Sequence, residues 1–437
     1  INSLKKAAFH EIASVIHWCI IALSIVALFQ FWFDLSWFPA AAAPGSTFGN
    51  RNFFAEFIAA SIPFSLWMLL RKQSFISTLW SSISVGIIIL ALMSTGARAA
   101  LIATMVGIGA TAAIYSVNRH RATVFNTGST LIVGLVTPIV LIGALGWIPS
   151  LNESILDEHR GNSAIERTIN RLNSLSKDVT YEDGSSFGIR MVAWEASIKM
   201  IQAHPFIGVG AGAWNANLPV YTPSIYDTDI EYVWHAHNEP LQFIAEYGVI
   251  AWVALFALLY LLTSAAGQAY VKMRKHDTEA VSEGTHQGIF TLSITLMGIT
   301  SLSGLPLHAP AANYLLALSI AMLLIFHGIR PPITNAKALK FIPIAASIVV
   351  LIFSIAISVQ AFRADSIFLR GYNILAALAK HPNPDKIHSS QLKNIALSNL
   401  KTSLEIYPDQ GNFTGGAANY LGELGEHENV IWINDLM

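Results

Sequence analysis

The sequence predicts an all-α protein that crosses a membrane many times. Of its 437 residues, 53% are hydrophobic and only 12% are charged, whereas soluble domains carry about 25% charged residues. Apolar runs of about 18 residues or more recur along the chain, and each is long enough to cross a hydrocarbon core of about 30 Å as a helix. Helices are favoured because in lipid each backbone polar group must be satisfied within the protein.

We expect nine transmembrane helices in this chain. Their approximate limits are 12–33, 52–70, 75–93, 99–116, 123–147, 241–262, 287–305, 311–328 and 340–362. If the nine spans alternate, five short basic segments fall on one side, which the positive-inside rule makes cytoplasmic. These segments contain Lys5 and Lys6; Arg71 and Lys72; Arg119 and Arg121; Lys272, Arg274 and Lys275; and Arg330, Lys337 and Lys340.

The remaining connections are therefore expected on the outer side, and the chain divides into two domains. Residues 1–362 form the transmembrane domain, with one long outer loop at 148–236, and residues 363–437 form a helical tail that resembles tetratricopeptide repeats. Within the loop, the segment around Met200 has the spacing of an amphipathic helix lying on the membrane surface. Cys19, the single cysteine, is interpreted as a packing residue. Because the first residue is Ile1, we expect further residues to precede it.

Unusual polar residues gather on the predicted outer side. Arg98 follows one span and opens the next, where a lone arginine is as well explained by snorkelling to headgroups as by a binding role. The richest stretch is "HAHNEPLQFIAEYG", in which Asn238 is a candidate helix N-cap. Gln242 and Glu246 lie four residues apart and so share one helix face. A histidine near its usual pKa of about 6.5 can accept a proton at neutral pH, which makes His235 and His237 candidate bases.

Several motifs in the same order resemble the bacterial O-antigen ligase/polymerase superfamily. The segment "HNEPLQFIAEYGVIA" has its His, Asn and Gly pattern at His237, Asn238 and Gly248, although Ala251 departs from the usual Gly, Thr or Tyr. "GSTFGNRNFFAEF", "STGARAALIA", "GIRMVAWEASIKMIQAHPFIGVGAGAW" and "LPLHAPAANYLLAL" are also similar to family segments. The resemblance covers residues 40–330.

This resemblance implies a GT-C-like membrane glycosyltransferase of the bacterial inner membrane whose active site faces the periplasm. Such an enzyme transfers a glycan from undecaprenyl diphosphate to an acceptor hydroxyl, with inversion and without a metal or other cofactor. The implied catalytic residues are His237, Arg190 and Arg98, because arginine forks suit diphosphate oxygens and a base must take the hydroxyl proton. Further candidates for substrate binding are Asn238, Arg51, Asn52, His235, Gln242, Glu246 and His308.

Several alternatives stay open. The acceptor is a lipid A core sugar for a ligase, a growing glycan for a polymerase, or a protein for an O-oligosaccharyltransferase, and His235 competes with His237 as base. Two other motifs are disfavoured. Asp227 and Asp229 have the spacing of a metal-binding Asp-x-Asp motif, but no nucleotide-binding fold surrounds them. Residues 208–212 resemble a phosphate loop but lack its strand and its lysine, so a flexible turn is the preferred interpretation. A transporter would instead concentrate polar groups near the bilayer midplane. Lipids are expected partners and nucleic acids are not.

Overall fold

A computed structural model describes residues 2–35, 38, 42–118, 125–174, 186–222, 233 and 235–328, and parts of the tail between 359 and 424. The chain divides into two compact units, Ile1–Arg330 and Pro331–Met437. The described residues are mostly helical and extended segments meet there only at isolated bridges, so the protein is a polytopic all-α membrane protein. The domain boundary after residue 362 stays a prediction.

Six helices are long and apolar enough to cross a membrane among the residues that the structure describes. They are α1 (Asn2–Phe33), α2 (Arg51–Leu70), α3 (Phe75–Thr95), α4 (Arg98–Asn118), α5 (Gly128–Leu145) and, after the long loop, the helix Val249–Met273. Two of their boundaries show clear caps, because Asn50 accepts a hydrogen bond from the Asn52 backbone N–H and Gly96 ends α3 in the left-handed conformation.

The long loop contains four shorter helices and leads to a fifth. These are α6 (Glu153–Leu156), α7 (Ala164–Asn173), α8 (Ser186–Ala203), α9 (Trp214–Tyr221) and α10 (Glu239–Tyr247). The span predicted from residue 241 therefore begins later, at α11 (Val249–Met273). The apolar pattern continues across the junction, but Gly248 adopts φ 56° and ψ −130° and separates α10 from α11.

Two further helices, α12 (Thr278–Ser301) and α13 (Pro310–Phe326), coincide with the seventh and eighth predicted spans. They do not reach the length and apolarity of the other six, since α13 has 17 residues and α12 contains many serine and threonine residues. The ninth predicted span and the basic residues at 119, 121 and 330–340 lie outside the described residues. The count of nine spans therefore stays a prediction.

The core of the first unit forms around α2, which is buried along nearly its whole length. It packs against α1, α3, α4 and α12, and Phe54, Ile58 and Phe64 are fully buried there. By contrast, α5 and α11 leave most of their apolar side chains exposed, as expected of helices that face lipid. Cys19 is exposed on α1, so its interpretation as a packing residue was wrong.

The second unit contains the helices α14 (Ser366–Leu378) and α15 (Lys386–Ile406). Phe368 and Leu375 from α14 pack with Ala396 and Leu400 from α15 in one apolar cluster. The pair of amphipathic helices agrees with the sequence, whereas the likeness to tetratricopeptide repeats stays a prediction.

Candidate functional site

The site is built around the segment 235–238, which immediately precedes α10. The Trp194 indole on α8 donates a hydrogen bond to the Ala236 carbonyl oxygen at 2.9 Å, and the Gln242 side chain accepts one from the Ala236 N–H at 3.0 Å. Asn238 caps α10 by accepting a hydrogen bond from the Leu241 N–H at 3.0 Å. His237 takes a positive φ of 50°, a conformation that these flanking contacts must hold in place.

Arg190 lies within electrostatic range of two residues that are far from it in sequence, Arg98 and His237. Arg98 is the first residue of α4, and Arg190 lies near the start of α8. Burial and the charge of Arg98 lower the pKa of Arg190, while the carboxyl group of Glu56 opposes this effect. Burial, Arg190 and His308 lower the pKa of His237 to about 4. Two guanidinium groups that act on each other favour an anion, and the neutral imidazole within range of Arg190 can accept a proton.

A second group of titratable residues lies next to His237. The rings of His235 and His308 are 4.4 Å apart, and His235 has a buried Nδ1 with no hydrogen-bond partner among the described residues. Burial and the two neighbouring histidines lower the pKa of His235 to about 4. Glu239 Oε1 accepts hydrogen bonds from the Leu307 N–H at 2.7 Å and from His308 Nδ1 at 3.3 Å. Burial raises the pKa of Glu239, although these bonds oppose the shift.

A cavity of about 600 Å³ opens beside this second group. Its polar end includes His235, Glu239, Gln242, Glu246 and His308, and its apolar walls come mainly from α11 and α12. Those walls include Leu255, Leu258, Ile294 and Met297. Arg98, Arg190 and His237 are not among the residues that line this cavity. Such a cavity suits a molecule with one polar and one apolar part.

The glycine-rich turn after α8 fixes this helix to the junction of α10 and α11. The N–H groups of Val209 and Gly210 donate to the carbonyl oxygens of Ala245 and Glu246 at 2.9 and 3.1 Å. A Cβ atom at Gly208 would lie 2.3 Å from the Glu246 carbonyl group, so only glycine fits. The Glu246 side chain also accepts bonds from the Gly212 N–H and the Gln242 amide. The turn thus connects α8 to the α10–α11 junction through backbone hydrogen bonds and does not serve as a phosphate loop.

Arg51 takes part in a different network. Its guanidinium group pairs with Glu158, which also pairs with the fully buried Arg167 at 2.8 Å. Burial would raise the pKa of Glu158, but the two arginines lower it overall. The neighbouring Asn52 side chain is exposed, and its backbone N–H is capped by Asn50. The role of Arg51 and Asn52 in substrate binding stays a prediction.

Sequence reasoning missed residues that support the site from other parts of the loop. Arg171 on α7 donates a hydrogen bond to the Gly96 carbonyl oxygen at 3.2 Å, two residues before Arg98. Glu158 and Arg167 were also not singled out. No local pattern indicated these contacts, because each joins residues that are distant in sequence or lie in an irregular turn.

Candidate metal ligands are not brought together in the described ranges, where no group of three or more His, Cys, Asp or Glu side chains is arranged to hold a metal ion. The Asp227 and Asp229 motif lies outside those ranges. The absence of a metal requirement therefore stays a prediction.

The helices and the loop site define a multi-pass membrane protein with a polar site beside its apolar bundle. The family model described as O-antigen ligase matches residues 83–256, a range that runs from α3 into α11 and includes Arg98, Arg190 and His237. This match supports the O-antigen ligase-like superfamily, as the motifs indicated. No curated protein matches the sequence.

Proposed function

We propose that the protein transfers a glycan from undecaprenyl diphosphate to an acceptor hydroxyl at the periplasmic face of the bacterial inner membrane. The observation that supports this proposal is the electrostatic coupling of Arg190 on α8 to Arg98 at the start of α4 and to His237 before α10. The superfamily supports a membrane glycosyltransferase that acts on lipid-linked glycans. The nine-span topology, with the long loop and the tail outside, is part of this proposal.

In the proposed reaction, His237 takes the proton of the acceptor hydroxyl while that oxygen attacks the anomeric carbon of the glycan. The bond between this carbon and the diphosphate oxygen breaks on the opposite face, so the configuration inverts. Undecaprenyl diphosphate leaves with the bonding electrons, and Arg98 and Arg190 stabilise its charge. Before substrate binds, the pKa of His237 is about 4 and its imidazole is neutral at pH 7. A bound diphosphate would raise this pKa and strengthen the base.

His237 is preferred over His235 because it is the histidine on whose pKa Arg190 acts. His235 faces His308 and the cavity, where it suits a role in holding the acceptor. For the acceptor we propose a lipid A core sugar, as in a ligase. The acceptors of the two alternative functions, a glycan for a polymerase and a protein for an O-oligosaccharyltransferase, are compared in the same experiment.

The test uses the purified protein in liposomes with an undecaprenyl-diphosphate glycan and, in turn, a lipid A core, a free glycan and a pilin-like protein. Only one acceptor should become glycosylated, and EDTA should leave the rate unchanged. His237→Ala should lower the rate by about 10²- to 10⁴-fold, the usual contribution of a general base. His204→Ala is the matched control, since His204 is an exposed histidine in the same loop. Normal transfer by His237→Ala would refute the assignment of the base.

A further inference from the structure

The turn between α8 and α9 exposes two adjacent large apolar side chains. Phe206 is 75% exposed and Ile207 is 79% exposed, among the highest values for large apolar residues in the described chain. Single exposed apolar residues are common on protein surfaces. Two neighbouring apolar side chains that are both at least three-quarters exposed, on a turn whose backbone is held by hydrogen bonds, indicate a surface that binds a partner.

The backbone of this turn is fixed at the start of a membrane span. The Val249 N–H, at the first residue of α11, donates a hydrogen bond to the Phe206 carbonyl oxygen at 3.1 Å. Gly248 permits this approach, since a Cβ atom there would lie 2.5 Å from the same oxygen. Phe206 therefore lies at the level where α11 begins its passage through the membrane.

The exposed side chains continue an apolar surface that α11 presents to lipid. Val249, Ile250 and Val253 are 46%, 65% and 63% exposed in the first turns of that helix. Trp252, 43% exposed, is an aromatic residue of the kind that is enriched where a span meets the headgroups. The turn and the first residues of α11, which the hydrogen bond between Val249 and Phe206 joins, thus both expose apolar side chains.

We propose that Phe206 and Ile207 insert into the bilayer at the boundary between headgroups and acyl chains, and anchor the long loop to the membrane. Their partner is lipid, because the pair is continuous with a lipid-facing helix and carries no charge. The anchor lies at the end of α8, the helix that carries Arg190. It therefore holds this arginine at a fixed height relative to the membrane surface. The inference goes beyond the proposed function and does not depend on it.

The test places a fluorophore on the turn in the full-length protein in lipid vesicles. The chain has one cysteine, so Cys19→Ser gives a background without reactive thiols. Phe206→Cys and, separately, Ile207→Cys are labelled with bimane. Ile250→Cys marks a lipid-facing position, and Glu195→Cys marks an exposed position on α8, where Glu195 pairs with Lys199 four residues further along the helix. Quenching by a lipid-borne nitroxide and by aqueous iodide is measured for each.

The labels at 206 and 207 should be quenched by the lipid nitroxide within about twofold of the label at 250, and shielded from iodide. Two outcomes would overturn the proposal. Iodide quenching equal to that at position 195 would place the turn in water. Shielding from both quenchers would show that protein, not lipid, covers the turn. Glycan transfer is not part of the readout, so a wrong assignment of function would leave the result unaffected.

Discussion

Replacing Gly208 with alanine should release the turn 206–210 from the junction of α10 and α11. Gly208 has φ 67°, and the added Cβ atom would lie 2.3 Å from the carbonyl carbon and oxygen of Glu246. Both are backbone atoms of α10 and cannot rotate away. Gly212 is a matched control, because it also has φ 67° but a Cβ atom there meets nothing within 4 Å.

The two substitutions share one cost and differ in another. An alanine at positive φ costs about 1 kcal/mol at either position. The contact at Gly208 adds about 1–3 kcal/mol, the usual range for overpacking. The penalty cannot exceed the cost of undocking the turn, because the turn can relieve the contact by breaking its three backbone hydrogen bonds, which contribute about 1 kcal/mol each. The free energy that keeps the turn docked should thus fall by about 1–3 kcal/mol more in Gly208→Ala than in Gly212→Ala.

Hydrogen exchange measures this difference directly. Exchange of the amides of Val209, Gly210 and Val249 reports the opening of the turn, because each donates one of the three bonds. A difference of about 1–3 kcal/mol corresponds to exchange about 5- to 150-fold faster in Gly208→Ala than in Gly212→Ala. Equal exchange in the two variants would refute the conclusion that close backbone contact requires this glycine.

Three further predictions concern titration and buried charge. Since the pKa of His237 is lowered to about 4, kcat/KM should stay level as the pH falls from 7 and decline only near pH 4–5. The site should lose stability between about pH 6.5 and 4, because protonation of His237 is favoured in the unfolded chain over this range. A decline in kcat/KM centred near pH 6.5 would contradict this prediction. Glu239→Gln should leave thermal stability nearly unchanged because it still accepts from Leu307, whereas Glu239→Leu should lose about 1–3 kcal/mol in denaturant unfolding. Glu158→Gln should lower the free energy of unfolding by about 2–4 kcal/mol and speed proteolysis of the loop, because the buried Arg167 loses its counter-ion. An unchanged rate of proteolysis would show that water or another group compensates for the lost charge.

The helices could be predicted from the sequence because each apolar run is long and its ends have local signals. Asn50 and Gly96 both occupy capping positions, and α2 and α3 begin or end within about two residues of the predicted limits. The break at Gly248 could not be predicted in this way. Its φ and ψ are imposed by the approach of Phe206, a residue about 40 positions earlier in the chain.

The candidate site was predictable where its residues are close in sequence. The four-residue spacing of Gln242 and Glu246 predicted that they share one helix face, and there the structure shows a hydrogen bond between their side chains. Asn238 was recognisable as a cap. Arg51 shows the limit of this reasoning. Its ion-pair partner, Glu158, is 107 positions away in a loop without a periodic pattern, so only the tertiary structure shows how this charge is neutralised.

The separation of α10 from α11 explains how titratable groups can lie beside an apolar bundle. A charged group at the centre of a span costs about 2.5–3.5 kcal/mol on insertion scales. Had the span begun at residue 241, as the apolar pattern indicated, Gln242 and Glu246 would have entered the membrane with it. Because Gly248 ends α10 first, these side chains stay outside the span and bond to each other and to the turn after α8. The cavity then forms where this polar helix meets the apolar walls of α11 and α12, so one end of it is polar and the other apolar.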